Sequence, residues 1–267
     1  MSDGVGSGGE PSGAQVPIRD AATVVLLRDG ASGLQAWLLT RVTQMVFAAG
    51  MTVFPGGRVD DADAALPFTS GAGRETAARF GCDETSARAL LGAAVRETFE
   101  ETGVLLSVPG AELSDARTDV EAGRISFGDL LRANGLVVDA EALHPWARWV
   151  TPAGEVRRYD TRFFVGAVPD GVEARNVTTE SSAASWVGVT DALEQAQRGE
   201  RGMLPPTIAT LASLAPCASV AEVLAAAVTR PLEAVRPNIR LTEDERLVAE
   251  LPDGTSFTIP RSMLGKR

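Results

Sequence analysis

The run Arg96-Glu97-Thr98-Phe99-Glu100-Glu101-Thr102-Gly103-Val104 sets three carboxylates at i, i+3 and i+4, a spacing that a helix gathers on one face. Left alone, such a face repels itself by a few tenths of a kcal/mol per like-charged pair. A hard divalent cation converts that repulsion into coordination, because Mg2+ takes oxygen ligands from one or two carboxylates together with substrate phosphates. Arg96 lies four residues before Glu100 and can orient it. Upstream, Val53-Phe54-Pro55-Gly56-Gly57 offers backbone carbonyls and room for a ligand to approach closely. Metal held by these groups against a diphosphate neutralises phosphoryl oxygens, activates water and stabilises the leaving oxygen. An acidic helix face in isolation is more often simply solvated. The flanking Arg96, the terminating Gly103 and the preceding Pro-Gly-Gly set this one apart.

These residues need a helix and a strand to hold them. Ala87, Leu90, Leu91, Ala94, Val95 and Thr98 repeat at helical spacing. Asp83 or Thr85 is the candidate cap at the start, and Gly103 stands where a left-handed cap ends a helix. Ahead of the helix, Ala22–Leu27 and Ala36–Thr40 read as two strands around an Asp29-Gly30 turn. Met51–Phe54 reads as a third strand, stopped by Pro55. Residues 58–83 lack a clean period and look like an inserted loop with one short helical piece. Further strands are expected at 104–108, 147–151, 161–168 and 184–187. A partly acidic helical region is expected over 111–142, and helices over 191–198 and within 206–228. A closing hairpin is expected at 245–251 and 255–259. Helices and strands alternate without a regular βαβ rhythm, so the expected class is α+β, or an α/β/α sandwich with a mixed β-sheet and extra helices. Residues 1–17 have little to bury and read as a disordered tail, leaving 18–267 as a single domain with an insertion at about 58–83 and a helical C-terminal extension.

The chain has 267 residues and a net charge of −10, which argues against a general binder of nucleic acid or acidic membranes. An acidic protein that handles phosphates needs local cations, and 24 of the 25 basic residues are arginine, Lys266 being the exception. Arginine suits bidentate phosphate contacts. Cys82 and Cys217 are too few for a cysteine-rich zinc site. There is no run of about 18 apolar residues for a membrane span and no basic-then-apolar leader. A cytoplasmic protein is the expectation. His144 is the only histidine and stands before Pro145, more in keeping with packing than catalysis. A Ser-His-Asp triad would have to be built on it, and no Gly-x-Ser-x-Gly elbow is present.

The segment 96–104 resembles the second half of the Nudix box, with Thr98 at a position that is usually apolar. Gly57 matches the opening glycine. Counted forward from Gly57, position 63 is Asp where the pattern has Glu. Counted back from Arg96, the same position holds Arg88, with Glu84 one turn earlier as a substitute carboxylate. Between Gly57 and Arg96 lie 38 residues, about 25 more than the unbroken pattern holds, so the box is split by an insertion. The stretch from Arg41 through Met45, Phe47, Gly50 and Val53–Gly57 to Asp60 is similar to a branch that includes the peroxisomal coenzyme A diphosphatases. So are Trp149–Pro152 with Arg157–Phe164, Thr179-Glu180 with Trp186, and Pro206-Thr207 with Thr210-Leu211. The resemblance covers roughly 20–240.

It implies the Nudix fold and Mg2+, with Mn2+ as a substitute, held by Glu97, Glu100, Glu101 and the carbonyl of Gly56. It places Glu180 as general base or ligand of a second metal, and Arg96 as a catalytic-site orienting group. Arg41 and Arg158, more than Arg157, are candidates for substrate phosphates, with pairing to Asp60, Asp160 or Glu155 as the structural alternative. Gly57, and Phe47 with Met45, are candidates for the pocket wall. The implied reaction is Mg2+-dependent hydrolysis of the diphosphate linkage of a nucleoside diphosphate derivative, with coenzyme A or acyl-coenzyme A as substrate. ADP-ribose, dinucleoside polyphosphates, another nucleotide and a non-catalytic nucleotide-binding module are the alternatives. Many relatives form dimers, so a homodimer is an expectation that rests on the resemblance and on no residue of this sequence; no nucleic-acid or membrane partner is expected.

Overall fold

The computed structural model describes residues 16–42, 50–153, 155, 157–175, 178, 181–243 and 246–260. In chain order the elements are β1 (Ile18–Gly30), β2 (Gly33–Arg41), β3 (Thr52–Val53), β4 (Gly56–Arg58), a 3-10 turn (Asp63–Ala65), α1 (Arg74–Phe80) and α2 (Glu84–Thr102). They continue with β5 (Ser107–Val108), α3 (Ser114–Glu121), α4 (Phe127–Ala133), β6 (Val137–Val138), a second 3-10 turn (Ala140–Ala142), β7 (His144–Val150), β8 (Arg158–Ala167) and β9 (Ser181–Gly188). The C-terminal part holds α5 (Val189–Gln197), α6 (Pro205–Leu214), α7 (Val220–Thr229), β10 (Ala234–Val235), β11 (Asn238–Leu241), β12 (Arg246–Glu250) and β13 (Ser256–Pro260).

The main sheet runs β10-β7-β8-β1-β2-β3, with β4 paired to β1 and β9 paired to β2. β1–β8 and β10–β7 are parallel and the other pairs antiparallel, so the sheet is mixed. Alternate residues of each strand enter two different cores. Val24, Leu26, Trp37, Leu39 and Phe164 pack with Phe80 of α1, Leu91, Val95 and Phe99 of α2, Val120 of α3 and Leu131 of α4. Val25, Leu27, Leu38 and Val165 pack on the opposite face with Ala192 of α5, Leu211 of α6 and Val223 of α7. Burial on both faces explains why β1 reads as a nearly continuous apolar run rather than an alternating one. The result is a three-layer α/β/α sandwich, as the sequence predicts.

On the side away from β8, β1 is shared between two partners. Its end pairs with β2 at Leu27–Gly30, and its start pairs with β4 at Ala21–Thr23. Between them Val24 donates its N–H to the Pro55 carbonyl at 2.8 Å. That fork brings Pro55-Gly56-Gly57 beneath α2.

Two expected elements differ. The apolar run 104–108 forms a strand only at its end, as β5, while Val104, Leu105 and Leu106 are buried outside any strand; an apolar run alone does not tell a strand from a buried connection. The region 111–142 is two short helices separated from β7 by β6, which pairs with β5, not one helical block. Cys82 and Cys217 are both free thiols. Among the described residues no helix is long and apolar enough to cross a membrane.

The inserted segment is anchored at several points. Val138 donates to the Pro67 carbonyl at 2.7 Å and Thr69 to the Val138 carbonyl at 3.1 Å. Arg132 of α4 reaches the Ala65 carbonyl at 3.2 Å. Arg88 of α2 reaches the carbonyls of Ala64 and Leu66, each at 3.4 Å, and its guanidinium lies over the Phe68 ring at 4.5 Å. Arg79 of α1 donates to the carbonyls of Val228 and Arg230 at the end of α7.

Candidate active site

α2 begins at Asp83, whose carboxylate accepts from the Ser86 N–H at 2.9 Å, and ends at Gly103 in the left-handed conformation with φ 75°. Thr85 does not take the capping place. Thr98 sits at a fully buried position and returns its hydroxyl to the Ala94 carbonyl at 2.7 Å, so it packs as an apolar residue would. Carbonyls of the last turn are met from outside: Arg175 N–H donates to Thr102 at 2.9 Å and Arg117 to Glu100 at 2.8 Å. Both ends of the acidic helix are thereby fixed.

Arg96 is the hub of the site. Its side chain is 13% exposed. It makes a two-pronged contact with Asp63, Nε to Oδ1 at 2.9 Å and Nη2 to Oδ2 at 3.0 Å. Nη1 donates to Glu97 Oε1 at 2.8 Å and lies 3.6 Å from Glu100. Nη2 also reaches the Arg58 carbonyl at 3.0 Å and is 3.7 Å from Asp60. One guanidinium thus faces four carboxylates. Burial works to lower its pKa, but the hydrogen bonds it donates to Asp63 and the charges of Glu97, Asp63 and Glu100 outweigh it and raise it.

Asp63 is 2% exposed and is held by the Asp60 N–H at 2.8 Å. It is the residue that the sequence reading passed over. Counting back from Arg96 pointed to Arg88 and Glu84, yet Arg88 is spent on the insertion's carbonyls and Glu84 is exposed on the first turn of α2. The forward count from Gly57 is the one that survives, because most of the inserted chain follows position 63. The signal was an acid of the right charge but one methylene shorter. The structure makes up that length by laying the Asp63 backbone against α2 at Gly92, where a Cβ would collide with the Asp63 carbonyl.

The glycines of β4 have equally concrete reasons. Gly56 has φ +154°, and a Cβ there would strike the Ala22 carbonyl and come within 2.7 Å of Thr23 Cα. Its N–H donates to Glu101 Oε2 at 2.9 Å. A Cβ on Gly57 would fall on the Glu97 carboxylate. Glu101 is nearly buried, and Glu97 and Glu100 are half-buried.

Burial raises the pKa of Glu97, with Arg96 opposing and Asp63 and Asp60 adding to the rise. Burial and the neighbouring Glu97 charge push Glu100 up to about 7, again against Arg96. This is a buried excess of negative charge of the kind that a cation relieves. The donors are hard oxygens, which suits Mg2+ or Mn2+. Among the described residues, no three side chains already converge on a common metal position. Glu97 is turned to Arg96 and Glu101 to the Gly56 N–H, so the donor chemistry fits a divalent ion after rotation of these carboxylates.

Arg41 ends β2 in register with Ser181, across an irregularity in the β2–β9 pairing. Arg158 is separated from the carboxylates. It pairs with Ile18, four residues from Ala22, the partner of Gly57, and on the other side of β1; that is about 13 Å along the strand. Its Nε donates to the Thr151 carbonyl at 3.3 Å. Arg157 is exposed. Asp160, one suggested partner for these arginines, is instead held by Arg148 at 3.0 and 2.7 Å and lies 3.3 Å from Arg162. Phe47, Met45 and Glu180 lie outside the described residues. A cavity of about 390 Å3 borders the Arg96 cluster, lined by Arg19, Asp20, Arg58 and Asp60 among others. A larger one of about 680 Å3, which includes His144, opens where β8 ends. It contains none of the cluster's residues.

Comparison with known proteins agrees with this geometry. The model of the NUDT19 Nudix domain matches residues 84–214. A putative Nudix hydrolase 7 of Caenorhabditis elegans is 29% identical over 199 residues, covering 73% of this chain and 60% of that protein. The human acyl-coenzyme A diphosphatase NUDT19 is 31% identical over 173 residues, covering 57% of this chain and 46% of its own length. The chain thus spans only about half of these relatives. A crystal structure of a Nudix hydrolase from Alicyclobacillus acidocaldarius is 31% identical, with a TM-score of 0.67, covering 82% of this chain and 99% of that one. A split box, a mixed-sheet sandwich and a carboxylate helix organised by one arginine have a single reading: the chain belongs to the Nudix hydrolase family.

Proposed function

We propose that residues 18–267 act as one catalytic unit that hydrolyses the diphosphate linkage of a nucleoside diphosphate derivative with Mg2+, coenzyme A or acyl-coenzyme A being the favoured substrate. The observation that carries this reading is the buried acidic excess around Arg96, with Glu100 pushed up to about 7. The substrate preference is supported by the relatives named acyl-coenzyme A diphosphatase.

Glu97, Glu100 and Glu101 would hold the cation, together with the Gly56 carbonyl. When bound, it supplies charge neutralisation for the phosphoryl oxygens. Arg96 keeps Glu97 and Glu100 in place. Gly57 leaves the space that the Glu97 carboxylate occupies. Glu180 takes a proton from the attacking water as it adds to phosphorus, and Arg41 steadies the phosphate that leaves. Charge spreads over the equatorial oxygens during transfer, so electrostatics should dominate the rate.

The test is product analysis by mass spectrometry with Mg2+, offering coenzyme A, acyl-coenzyme A, ADP-ribose, NADH and diadenosine polyphosphates in parallel. A 3′,5′-phosphorylated adenosine and a phosphopantetheine from coenzyme A are the expected products. Cleavage of ADP-ribose or a dinucleoside polyphosphate alone would replace the substrate. Tight binding without turnover across the panel would overturn the enzymatic reading.

A further inference from the structure

We propose that Arg117 and Glu121 of α3 are positioning residues that tie the chain leading to Glu180 to the end of the carboxylate helix. The inference rests on Glu180 being the base of the proposed hydrolysis. Arg117 is buried, its side chain 9% exposed. Its Nη1 donates to the Glu100 carbonyl at 2.8 Å and to Glu121 Oε2 at 2.6 Å. The other oxygen of that carboxylate, Glu121 Oε1, accepts from the Thr178 hydroxyl at 3.1 Å, and Thr178 is itself buried. The backbone of a metal-holding glutamate, a guanidinium, a carboxylate and the chain at Thr178 are thus linked in series. Glu180 follows Thr178 by two residues, a span of at most about 7 Å. A second tie runs alongside. The Arg175 N–H donates to the Thr102 carbonyl at 2.9 Å, and Ala174 belongs to the same buried core as Phe99 of α2.

Stability alone is a poor reason for this arrangement. Burying an ion pair costs desolvation that its attraction barely offsets. Arginine four residues ahead of glutamate is the less favourable order along a helix, and the last carbonyls of a helix can be satisfied by water. What the link supplies is a fixed distance. The carboxylates that hold the metal and the carboxylate that takes the proton come from two segments far apart in the chain, α2 and the approach to β9. The base must stand within hydrogen-bond reach of the attacking water, and a misplacement of about 1 Å costs about 100-fold in rate. Arg117 and Glu121 join the two segments, and neither needs to touch the substrate to act in this way.

Steady-state kinetics of the full chain with Mg2+ tests this, using coenzyme A or whichever member of the substrate panel the wild type cleaves. Thr178→Val replaces the hydroxyl by a methyl group. Its kcat should fall about tenfold or more while KM stays within about twofold. Thr178→Ser keeps the hydroxyl and should restore most of the rate. In a Glu180→Gln background the Thr178→Val change should add little, because residues that act through one another are not additive. Asp119→Asn loosens an exposed pair with Arg124 on the same helix and should leave kcat unchanged. Circular dichroism and thermal melting establish that each variant is folded. Hydrogen exchange over residues 174–182 needs no substrate, and it should quicken in Thr178→Val while the first turns of α2 stay as they are. A Thr178→Val rate like that of the wild type, an additive effect in the Glu180→Gln background, a silent Glu180→Gln variant or unchanged exchange would each overturn the proposal and leave the hydrolase reading standing. A wild-type chain that cleaves nothing on the panel would overturn that reading, and the proposal with it.

Discussion

Two ionic clusters lie on the β1 region of the sheet, and they are built on opposite principles. At the start of β1, Arg162 contacts Asp20 and Asp160, and Arg148 grips Asp160 with both prongs. Two arginines meet two aspartates. At β4 and α2, a single Arg96 meets Asp60, Asp63, Glu97 and Glu100. The first cluster is neutral and joins β1, β7 and β8. The second carries a net negative charge in a half-buried place, which is costly unless something positive arrives. A balanced cluster is a reason to suspect architecture; an unbalanced, half-buried one, to suspect chemistry.

The sharpest attack on that contrast is Asp63→Ala. It removes the two-pronged partner of Arg96 and leaves the Asp60 N–H without its acceptor, while Glu97 and Glu100 still face the guanidinium, so a loss of about 1–3 kcal/mol is expected in chemical denaturation, with turnover falling as well. Glu100→Gln should do the reverse to stability while reducing turnover about 100-fold or more, since it relieves repulsion but removes a ligand. Unchanged turnover on the coenzyme A panel would sink the carboxylate assignment.

A titration comes next. With metal absent, Glu100 holds its proton more tightly in the folded chain, near 7, than in the unfolded one, near the ordinary carboxylate value. The folded state therefore binds the extra proton between these values, and stability falls as pH rises through that window, by about 1–3 kcal/mol. Saturating Mg2+ should flatten the slope. Denaturation midpoints at pH 4.5, 6 and 7.5, with and without Mg2+, would show it, and a slope unaffected by metal would break the link between charge excess and cation. In the neutral cluster, replacing Arg148 and Asp160 together by Met and Leu should change stability by about 2 kcal/mol or less and leave kcat alone. The smallest effect expected is from Asp83→Ala, which removes the α2 cap and costs about 1 kcal/mol in thermal melting.

The unbalanced cluster was largely legible in the chain, because it is local. Helical spacing, the Asp83 cap, Gly103 and the three glutamates all fall within 21 residues, and β1 and β2 announce themselves by apolar runs around a turn. Asp63 was visible but read as a defect, since its role depends on how the backbone approaches Gly92. The neutral cluster was not legible at all. Asp20, Arg148, Asp160 and Arg162 are brought together by the registers of β1, β7 and β8, and no spacing in the sequence states a register. The strand expected at 104–108 failed for a related reason: Val104–Leu106 are apolar because the core covers them, whatever their backbone does.

The placement of Asp63 ahead of the helical part of the insertion has a thermodynamic consequence. The two halves of the charge cluster are joined by a closed chain loop running from residue 63 to residue 96, and the entropy of closing such a loop grows only with the logarithm of its length. Each doubling costs about 0.6 kcal/mol, less than a single well-made hydrogen bond to a charged group contributes. Arg79, Arg88 and Arg132 supply several such bonds along the way. Lengthening the connection is therefore nearly free as long as the contact at Gly92 is kept, and the interval between the two halves of the box is a quantity that can drift without disturbing what the halves do together.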